Sequence, residues 1–201
     1  MPSQPGSGQR YRNLSSVVLI PHTLMTQVVD LGSEPDSSKL KAATLLVDHF
    51  DEPRGWPNLE SARDEVARVL REGFAFAAMD GNDLLGWVGG LPEYHGRVWE
   101  LHPMVVRREH RRRGIGRTLV SAFEAGVADR GGLTITLGTD DDSGMTSLSG
   151  IDLYTNIPKH IAELRDLGRG HPFGFYHRLG FVVTGVMPDA NGRGFPDIYM
   201  S

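Results

Sequence analysis

Hydrophobic and polar positions along the chain follow two spacings, and the changes from one spacing to the other predict the order of the elements. Four runs have the length, composition and flanking turn residues of β-strands: 26–31, 74–79, 84–91 and 98–106. Between the first two runs, apolar residues recur at helical spacing over about 36–50 and 59–71. The pattern predicts a strand, two helices and an antiparallel meander of three strands, with a break at Pro92.

The second half of the chain predicts a helical crossover and a closing hairpin. Apolar residues lie on one face of a helix over 114–130, which ends at Gly131 and Gly132. Strand 133–138 follows this helix, so we expect it to lie parallel to 98–106. The last predicted elements are a short helix over 159–167, a helix opening at Pro172, and strands over 181–187 and 195–200. The predicted fold class is α/β (α+β), a mixed sheet flanked by helices.

The N-terminal segment 1–24 differs from the rest of the chain. It is rich in Ser, Pro, Gly and Gln and has no sustained periodicity, which indicates a flexible tail. The first predicted strand begins directly after Met25, so the native protein is expected to begin there, with residues 25–201 forming one domain.

Composition narrows the class of protein. The 201 residues include no cysteine, which excludes disulfides, zinc-thiolate sites and cysteine nucleophiles, and fits a reducing, cytoplasmic setting. The apolar run 17–20 is closed by Pro21 and is too short for a signal sequence or membrane span. A net charge of -4 argues against a general nucleic-acid binder. We expect no membrane partner, no nucleic-acid partner and no bound metal.

One segment carries the pattern of a phosphate-binding site. Strand 98–106 is followed by several arginines and then by Gly114 and Gly116, which open the long helix. Glycines let the backbone approach a phosphate, the helix N-terminus attracts anions, and arginines add charged hydrogen bonds. Alternatively, the glycines are an ordinary helix entry and the arginines a solvated face or a nucleic-acid patch. The spacing Arg-x-x-Gly-x-Gly favours a phosphate-bearing cofactor other than NAD.

Pro103 lies inside the strand that precedes this motif. Proline cannot donate to a ladder, so it usually marks an edge or a bulge. A bulge there would splay 98–106 away from the parallel strand 133–138 and expose main-chain groups of 104–106. An amide-bearing cofactor arm could then pair with them as an additional strand.

These residues resemble a known family. Arg111-x-x-Gly114-x-Gly116 after a proline-broken strand, together with the run Phe175 to Phe181, resembles the GNAT superfamily of N-acetyltransferases. Within it, the segments 99–106, 137–142, 171–181 and 188–200 are similar to aminoglycoside 6'-N-acetyltransferases of the enterococcal branch. The likeness runs from about Met25 to the end, although the loop after Trp56 looks shorter and the tail has no counterpart. It implies a GNAT-like, mostly antiparallel twisted sheet and acetyl-CoA as co-substrate.

The resemblance also implies site residues. Tyr176 would protonate the departing thiolate or orient the acetyl-CoA sulfur, unless it is an ordinary core tyrosine. The residues implied to bind the pantetheine arm and the pyrophosphate are Met104, Val105, Val106, Arg111, Arg112, Arg113, Gly114, Ile115, Gly116 and Arg117.

Acid–base candidates come from strand spacing. Glu100 and His102 are two residues apart, so their side chains share one face beside the expected cleft. A carboxylate there could bind the protonated amine and take its proton, directly or through water, so Glu100 is the first candidate for the base. His102 is a catalytic candidate or a residue that positions the backbone.

Acidic and aromatic residues indicate the acceptor. An aminoglycoside is a polycation, and Asp140, Asp142 and Asp152 offer a complementary surface, unless they belong to a solvated loop. Their spacing does not fit a calcium loop. Trp56 and Tyr94 match the substrate-side aromatic residues of the family, or serve simple packing.

The prediction is direct acetyl transfer to an aminoglycoside 6'-amine in a ternary complex, which inactivates the antibiotic. One alternative keeps the fold but makes the acceptor a protein N-terminus, a lysine or a polyamine. A second alternative is a non-catalytic CoA-sensing or nucleic-acid-binding module. Relatives imply a homodimer.

Overall fold

A computed structural model describes residues 26–50 and 55–201. The predicted tail 1–24 and the expected start at Met25 lie outside the described residues. Seven strands are present within them: β1 (Gln27–Asp30), β2 (Phe74–Asp80), β3 (Asp83–Glu93), β4 (Val98–Val106), β5 (Thr134–Asp140), β6 (Val183–Met187) and β7 (Asp197–Met200). The α-helices are α1 (Asp36–His49), α2 (Leu59–Glu72), α3 (Ile115–Asp129), α4 (Ile157–Ala162) and α5 (Phe173–His177).

The strands form one mixed sheet in the order β1-β2-β3-β4-β5-β7-β6. Every neighbouring pair is antiparallel except β4 and β5, which are parallel because α3 connects them. The predicted mixed and mostly antiparallel fold, its meander and its parallel crossover are therefore confirmed. The closing hairpin β6–β7 places β7 between β5 and β6.

Helices cover the two faces of the sheet unequally. On one face α1 and α2 bury an apolar layer that includes Leu45, Leu46 and Trp87. On the other face α3 packs through Leu119 and Phe123, with a satellite layer from the loops after β5. The sequence explains α2 well, since Asn58 caps it by accepting a hydrogen bond from the Ser61 N–H at 2.9 Å.

Two predicted boundaries are wrong. β3 does not break at Pro92 but continues to Glu93, with Pro92 paired to Trp99 of β4. The pairing of β3 with β2 ends at Gly90, so beyond that point one side of the strand has no ladder for a proline to interrupt. The helix predicted over 159–167 is α4, which begins earlier and ends at Ala162; the chain then turns back, and Asp166 forms a bridge with Thr146.

Candidate active site

β4 and β5 separate after three residue pairs. Their pairing covers Val98–Glu100 against Thr134–Thr136, and from Leu137 onward β5 pairs with β7 instead. Within the described residues, the edge of β4 from 101 to 106 that faces β5 therefore has no strand partner. The main-chain N–H and C=O groups along this edge are available to an extended ligand.

The bulge expected at Pro103 is present. The register between β3 and β4 shifts between Val88 and Gly90, opposite the His102–Pro103 step. The shift changes the alternation of side chains, so Met104 packs with the α3 core while Val105 packs with the α1 and α2 core. Residues 104–106, which the resemblance assigned to the pantetheine arm, thus lie where β4 and β5 separate, and their main chain can bind that arm.

A tight turn leads from β4 to the N-terminus of α3. Gly114, the residue before the helix, has a φ of 88°, in the left-handed region that favours glycine. Gly116 has little room for a side chain, since an added Cβ would lie 3.2 Å from the Phe175 ring and 3.7 Å from the Met104 methyl group. These two glycines leave open main-chain N–H groups at the helix start, as the phosphate-cradle prediction requires.

The residues predicted to bind the pyrophosphate have different environments. Arg112, Arg113 and Arg117 are exposed, whereas Ile115 is only 4% exposed and packs in the core, so only its main chain can face a ligand. Arg111 donates from Nε to the Val106 carbonyl at 3.1 Å, which holds the loop against the end of β4.

His49, which the sequence did not single out, ties this loop to α1. Its Nε2 accepts a hydrogen bond from the Arg108 N–H at 3.1 Å. Burial and the charges of Arg111 and Arg108 lower the pKa of His49, so the imidazole is kept neutral beside the arginines.

A cleft of about 540 Å³ lies where β4 and β5 separate, a size typical of small-molecule sites. It extends from the C-terminal end of α1 to residues 101–104 of β4 and 138–140 of β5. Its lining includes His49, Phe50, Trp56, Leu101, His102, Pro103, Met104, Gly138, Thr139, Asp140, Asp142, Pro172 and Tyr176. The predicted residues Trp56, His102, Met104, Asp140, Asp142 and Tyr176 are thus brought together.

His102 is held from the α2 side by a residue that the sequence did not reveal. Its Nε2 lies 3.4 Å from Oε1 of Glu65, which also accepts two hydrogen bonds from Arg68. Burial alone would raise the pKa of Glu65, but the bonds from His102 and Arg68 outweigh it and lower that pKa to about 2. Glu65 is therefore a permanent anion that fixes the His102 ring.

Tyr176 lies in α5 at the junction between the cleft and the core. It is 8% exposed, and no other described residue forms a hydrogen bond with its hydroxyl. Burial raises the pKa of Tyr176, so the phenol stays protonated at neutral pH. It can donate a proton to a ligand atom without first breaking a bond within the described residues.

His171 couples α5 to β5, and the sequence did not identify it either. The buried imidazole accepts the Phe173 N–H at Nδ1, at 3.2 Å, so its Nε2–H donates to the Asp140 carbonyl 3.0 Å away. This bridge sets the position of Tyr176 relative to the acidic end of β5.

The three consecutive aspartates at the end of β5 have different roles. Asp140 is exposed and accepts a hydrogen bond from Asn191 at 2.8 Å, and Asp142 lines the cleft. Asp141 is fully buried and accepts hydrogen bonds from Met145, Thr146 and Ser149, so it shapes the loop. The acidic surface toward the cleft therefore comes from the residues on either side of Asp141.

Three predicted substrate residues do not line the cleft. Tyr94 is 73% exposed in the short turn between β3 and β4. Asp152 lies in a separate depression with Tyr154 and Asp189, where its carboxylate accepts the Tyr154 N–H. Glu100 is half-buried on β4, one pleat from His102, and is likewise not part of the cleft lining.

Two kinds of feature are absent from residues 26–50 and 55–201, a metal-binding cluster and a membrane-spanning helix. No three His, Asp or Glu side chains there gather closely enough to hold a metal ion. In the same residues no helix has the length and apolar character needed to cross a membrane.

A sheet splayed beside a glycine-opened helix N-terminus defines a protein that binds an elongated, phosphate-bearing ligand along a strand edge. A family comparison specifies the class: residues 42–154 match the model of the acetyltransferase (GNAT) family. The chain belongs to the GNAT family of acetyltransferases.

Solved structures place the chain within this family more narrowly. An aminoglycoside 6'-N-acetyltransferase complexed with coenzyme A is 39% identical, with a TM-score of 0.81, over 87% of this chain and 94% of that one. The aminoglycoside 6'-N-acetyltransferase from Enterococcus faecium has the same identity and coverage and a TM-score of 0.78. An aminoglycoside 6'-acetyltransferase type Ii is 34% identical over the same shares, with a TM-score of 0.65. A comparison with curated proteins finds no match.

Proposed function

We propose that the protein transfers the acetyl group of acetyl-CoA to the 6'-amine of an aminoglycoside. The observation that carries the proposal is the position of the acidic end of β5, which lies in one cleft with the unpaired edge of β4. The structural relatives at 34–39% identity support both the reaction and the acceptor. The first alternative, another amine acceptor, needs the same acidic end and is decided by the experiment below.

The residues present fit acetyl-CoA. The free β4 edge would pair with the pantetheine amides, and the N–H groups at the start of α3 would hold the pyrophosphate, with the exposed Arg112, Arg113 and Arg117 beside them. When bound, acetyl-CoA supplies a thioester carbonyl that an amine can attack. Unpaired N–H groups on β4 are the candidate donors to the developing oxyanion, at about 3 kcal/mol each.

The proton transfers are assigned to Tyr176, which lines the cleft, and to Glu100, which lies on β4 two residues from the lining residue His102. Glu100 has no hydrogen bond or ion pair with other described residues, so its carboxylate is free to bind the ammonium group and accept its proton, directly or through water. Tyr176 donates a proton to the departing thiolate. Asp140, Asp142 and Trp56 would hold the rest of the acceptor. The amine then attacks directly within a ternary complex.

The test compares two acceptors that differ only at the reacting position: neomycin B, with a 6'-amine, and paromomycin, with a 6'-hydroxyl. Acetyl-CoA-dependent thiol release and the mass of the product are measured for each. Acetylation at the 6' position of neomycin B is expected, together with the loss of that product with paromomycin. Equal transfer to a protein N-terminus, lysine or polyamine would instead favour the alternative acceptor.

A Glu100→Gln variant tests the proposed base. Turnover is expected to fall by about 100-fold or more while the affinity for acetyl-CoA stays the same. Turnover equal to that of the wild type would exclude the role.

Three further expectations belong to this proposal. The net charge of -4 and the absence of cysteine support a cytoplasmic enzyme without a nucleic-acid partner. Fractionation of the native host and a salt-dependent binding assay with duplex DNA test them. Homodimer formation, implied by the family, is tested by sedimentation of the full chain.

A further inference from the structure

The face of the sheet opposite α3 carries three carboxylates on the neighbouring strands β4, β5 and β7. Glu100 of β4, Asp140 of β5 and Asp197 of β7 lie on this face, because their neighbours in each strand point into the α3 core. Asp140 and Asp197 are directly paired across the two strands. Asp140 lies on the middle strand of the three, and Asp197, on β7, is the member that the sequence analysis did not single out.

Asp197 occupies an unusual position for a carboxylate. Its Oδ1 is buried and, within the described residues, has no hydrogen-bond partner. Its Oδ2 lies over Gly138, where an added Cβ would come within 2.6 Å of it. Gly138 lines the cleft; Asp197 is not itself a lining residue, but its carboxylate lies against this glycine. A buried acceptor that lacks a donor is costly unless a ligand supplies one.

The charges of the described residues around Asp197 favour a cation at this point. Among those residues, the groups that face Asp197 are Asp140 from β5, Glu100 from β4 and Tyr199 from its own strand, and none of the three is cationic. Burial and Asp140 raise the pKa of Asp197 to about 6, partly offset by nearby main-chain N–H groups. Within the described residues, the ionised carboxylate is therefore stabilised only by these main-chain N–H groups.

We propose that Asp197 is a specificity-determining residue that binds an ammonium group of the polycationic acceptor other than the amine that is acetylated. This inference rests on the proposed function and deepens it. The bound ammonium would donate to the buried oxygen and offset the repulsion from Asp140. Asp197 therefore selects acceptors with a second cation at the right distance from the reacting amine.

The test compares D197N with D129N, which makes the same chemical change on the exposed surface at the end of α3. Binding of neomycin B is measured by calorimetry and turnover is measured with acetyl-CoA. D197N is expected to bind neomycin B about 10- to 100-fold more weakly, the range for loss of a charged hydrogen bond. Its kcat and its KM for acetyl-CoA should match those of D129N, because the contact is made equally before and during transfer.

The number of protons released on binding and the melting temperature provide a second test. At pH 6 the wild type should release about half a proton when neomycin B binds, since the ammonium favours the ionised carboxylate. D197N should lack this share of the release while keeping any share from the cleft histidines. D197N should also have a higher melting temperature at pH 7, because it removes a repelled buried charge.

The outcomes are separable. Equal neomycin B affinity in D197N and D129N overturns the inference, and so does a fall in kcat with unchanged affinity, which would make Asp197 part of the proton transfer. Tight binding without acetyl transfer overturns the proposed function and leaves the Asp197 contact supported. No binding of neomycin B by the wild type overturns both.

Discussion

The Glu65 carboxylate and the His102 imidazole face each other at 3.4 Å across the gap between α2 and β4. His102 also lies beside Trp56, with ring centroids 6.1 Å apart. The imidazole is therefore fixed on two sides, and its position depends on an anion that comes from a different layer of the fold.

Replacing Glu65 with Gln should change both the site and the response to acid. We expect kcat/KM to fall about tenfold, because the His102 ring loses its fixed orientation. The pKa of Glu65 is lowered from 4.5 to about 2, so its contribution to stability is complete above pH 4.5 and is lost as the pH falls toward 2. Melting curves between pH 2.5 and 6 should therefore show a weaker acid dependence in the variant.

The matched control for this prediction is Asp64→Asn, one position earlier on the exposed side of α2. It should leave both kcat/KM and the acid dependence unchanged. The same loss of activity in both variants would mean that the charge of α2, and not the contact with His102, matters.

Tyr176→Phe separates a chemical role from a packing role. The hydroxyl has no hydrogen bond with other described residues, so its removal should leave the free energy of unfolding unchanged or slightly higher. If the phenol donates the proton, kcat should fall about 100-fold or more. Because burial raises the pKa of Tyr176, the wild-type rate should show no loss from tyrosine ionisation up to pH 10. Chemical denaturation and a pH–rate profile measure these effects, and an unchanged kcat would leave Tyr176 as a core residue.

The fold could be predicted from the sequence because its signals are local. Strand and helix periodicity located the meander and the crossover helix, and Pro103 indicated the bulge that separates β4 from β5. The break predicted at Pro92 was wrong because a proline is tolerated where a strand extends beyond the end of its neighbour. Where the neighbouring strand ends depends on the tertiary structure and cannot be read from the sequence around Pro92.

The supporting residues of the site could not be predicted in the same way. Glu65 and Arg68 look like an ordinary surface ion pair three residues apart on a helix, and only the packing of α2 shows that His102 completes it. His171 carries no motif of its own. Asp197 did have a signal: alternation with the apolar Ile198 and Met200 places it on the opposite face of its strand. The order β5-β7-β6 was needed to bring that face beside Asp140.

Gly116→Ala tests the cradle at the start of α3. The added methyl group would press on the Phe175 ring at 3.2 Å and displace either the helix start or α5. We expect the KM for acetyl-CoA to rise about tenfold. The binding of neomycin B in calorimetry should stay the same, since the acidic end of the cleft is untouched.

The control for Gly116 is Gly185→Ala, in β6, where the nearest atom to an added Cβ is a Tyr199 ring carbon at 3.7 Å, an ordinary contact. Its KM for acetyl-CoA should match that of the wild type. A raised KM in both variants would point to a general loosening of the sheet.

Asp141→Asn should affect stability and not recognition, in contrast to its neighbours in the acidic run. Burial would raise the pKa of Asp141, but hydrogen bonds from Ser149, Thr146 and the Met145 N–H outweigh it and lower the pKa. In the asparagine variant an NH2 group replaces one of the two accepting oxygens and then faces groups that also donate. The free energy of unfolding should therefore fall by roughly 2–3 kcal/mol.

The effect of Asp141→Asn on the free energy of unfolding should depend on pH. A lowered carboxyl pKa stabilises the fold above the unfolded value of 3.8, and this contribution disappears as the pH falls below that value. The difference in unfolding free energy between the wild type and Asp141→Asn should therefore be largest near neutral pH and shrink below about pH 4. Asp140→Asn, the matched variant on the exposed neighbour, should show little change in stability and weaker binding of neomycin B. A reversal of these two patterns would mean that the loop presents Asp141 to the acceptor.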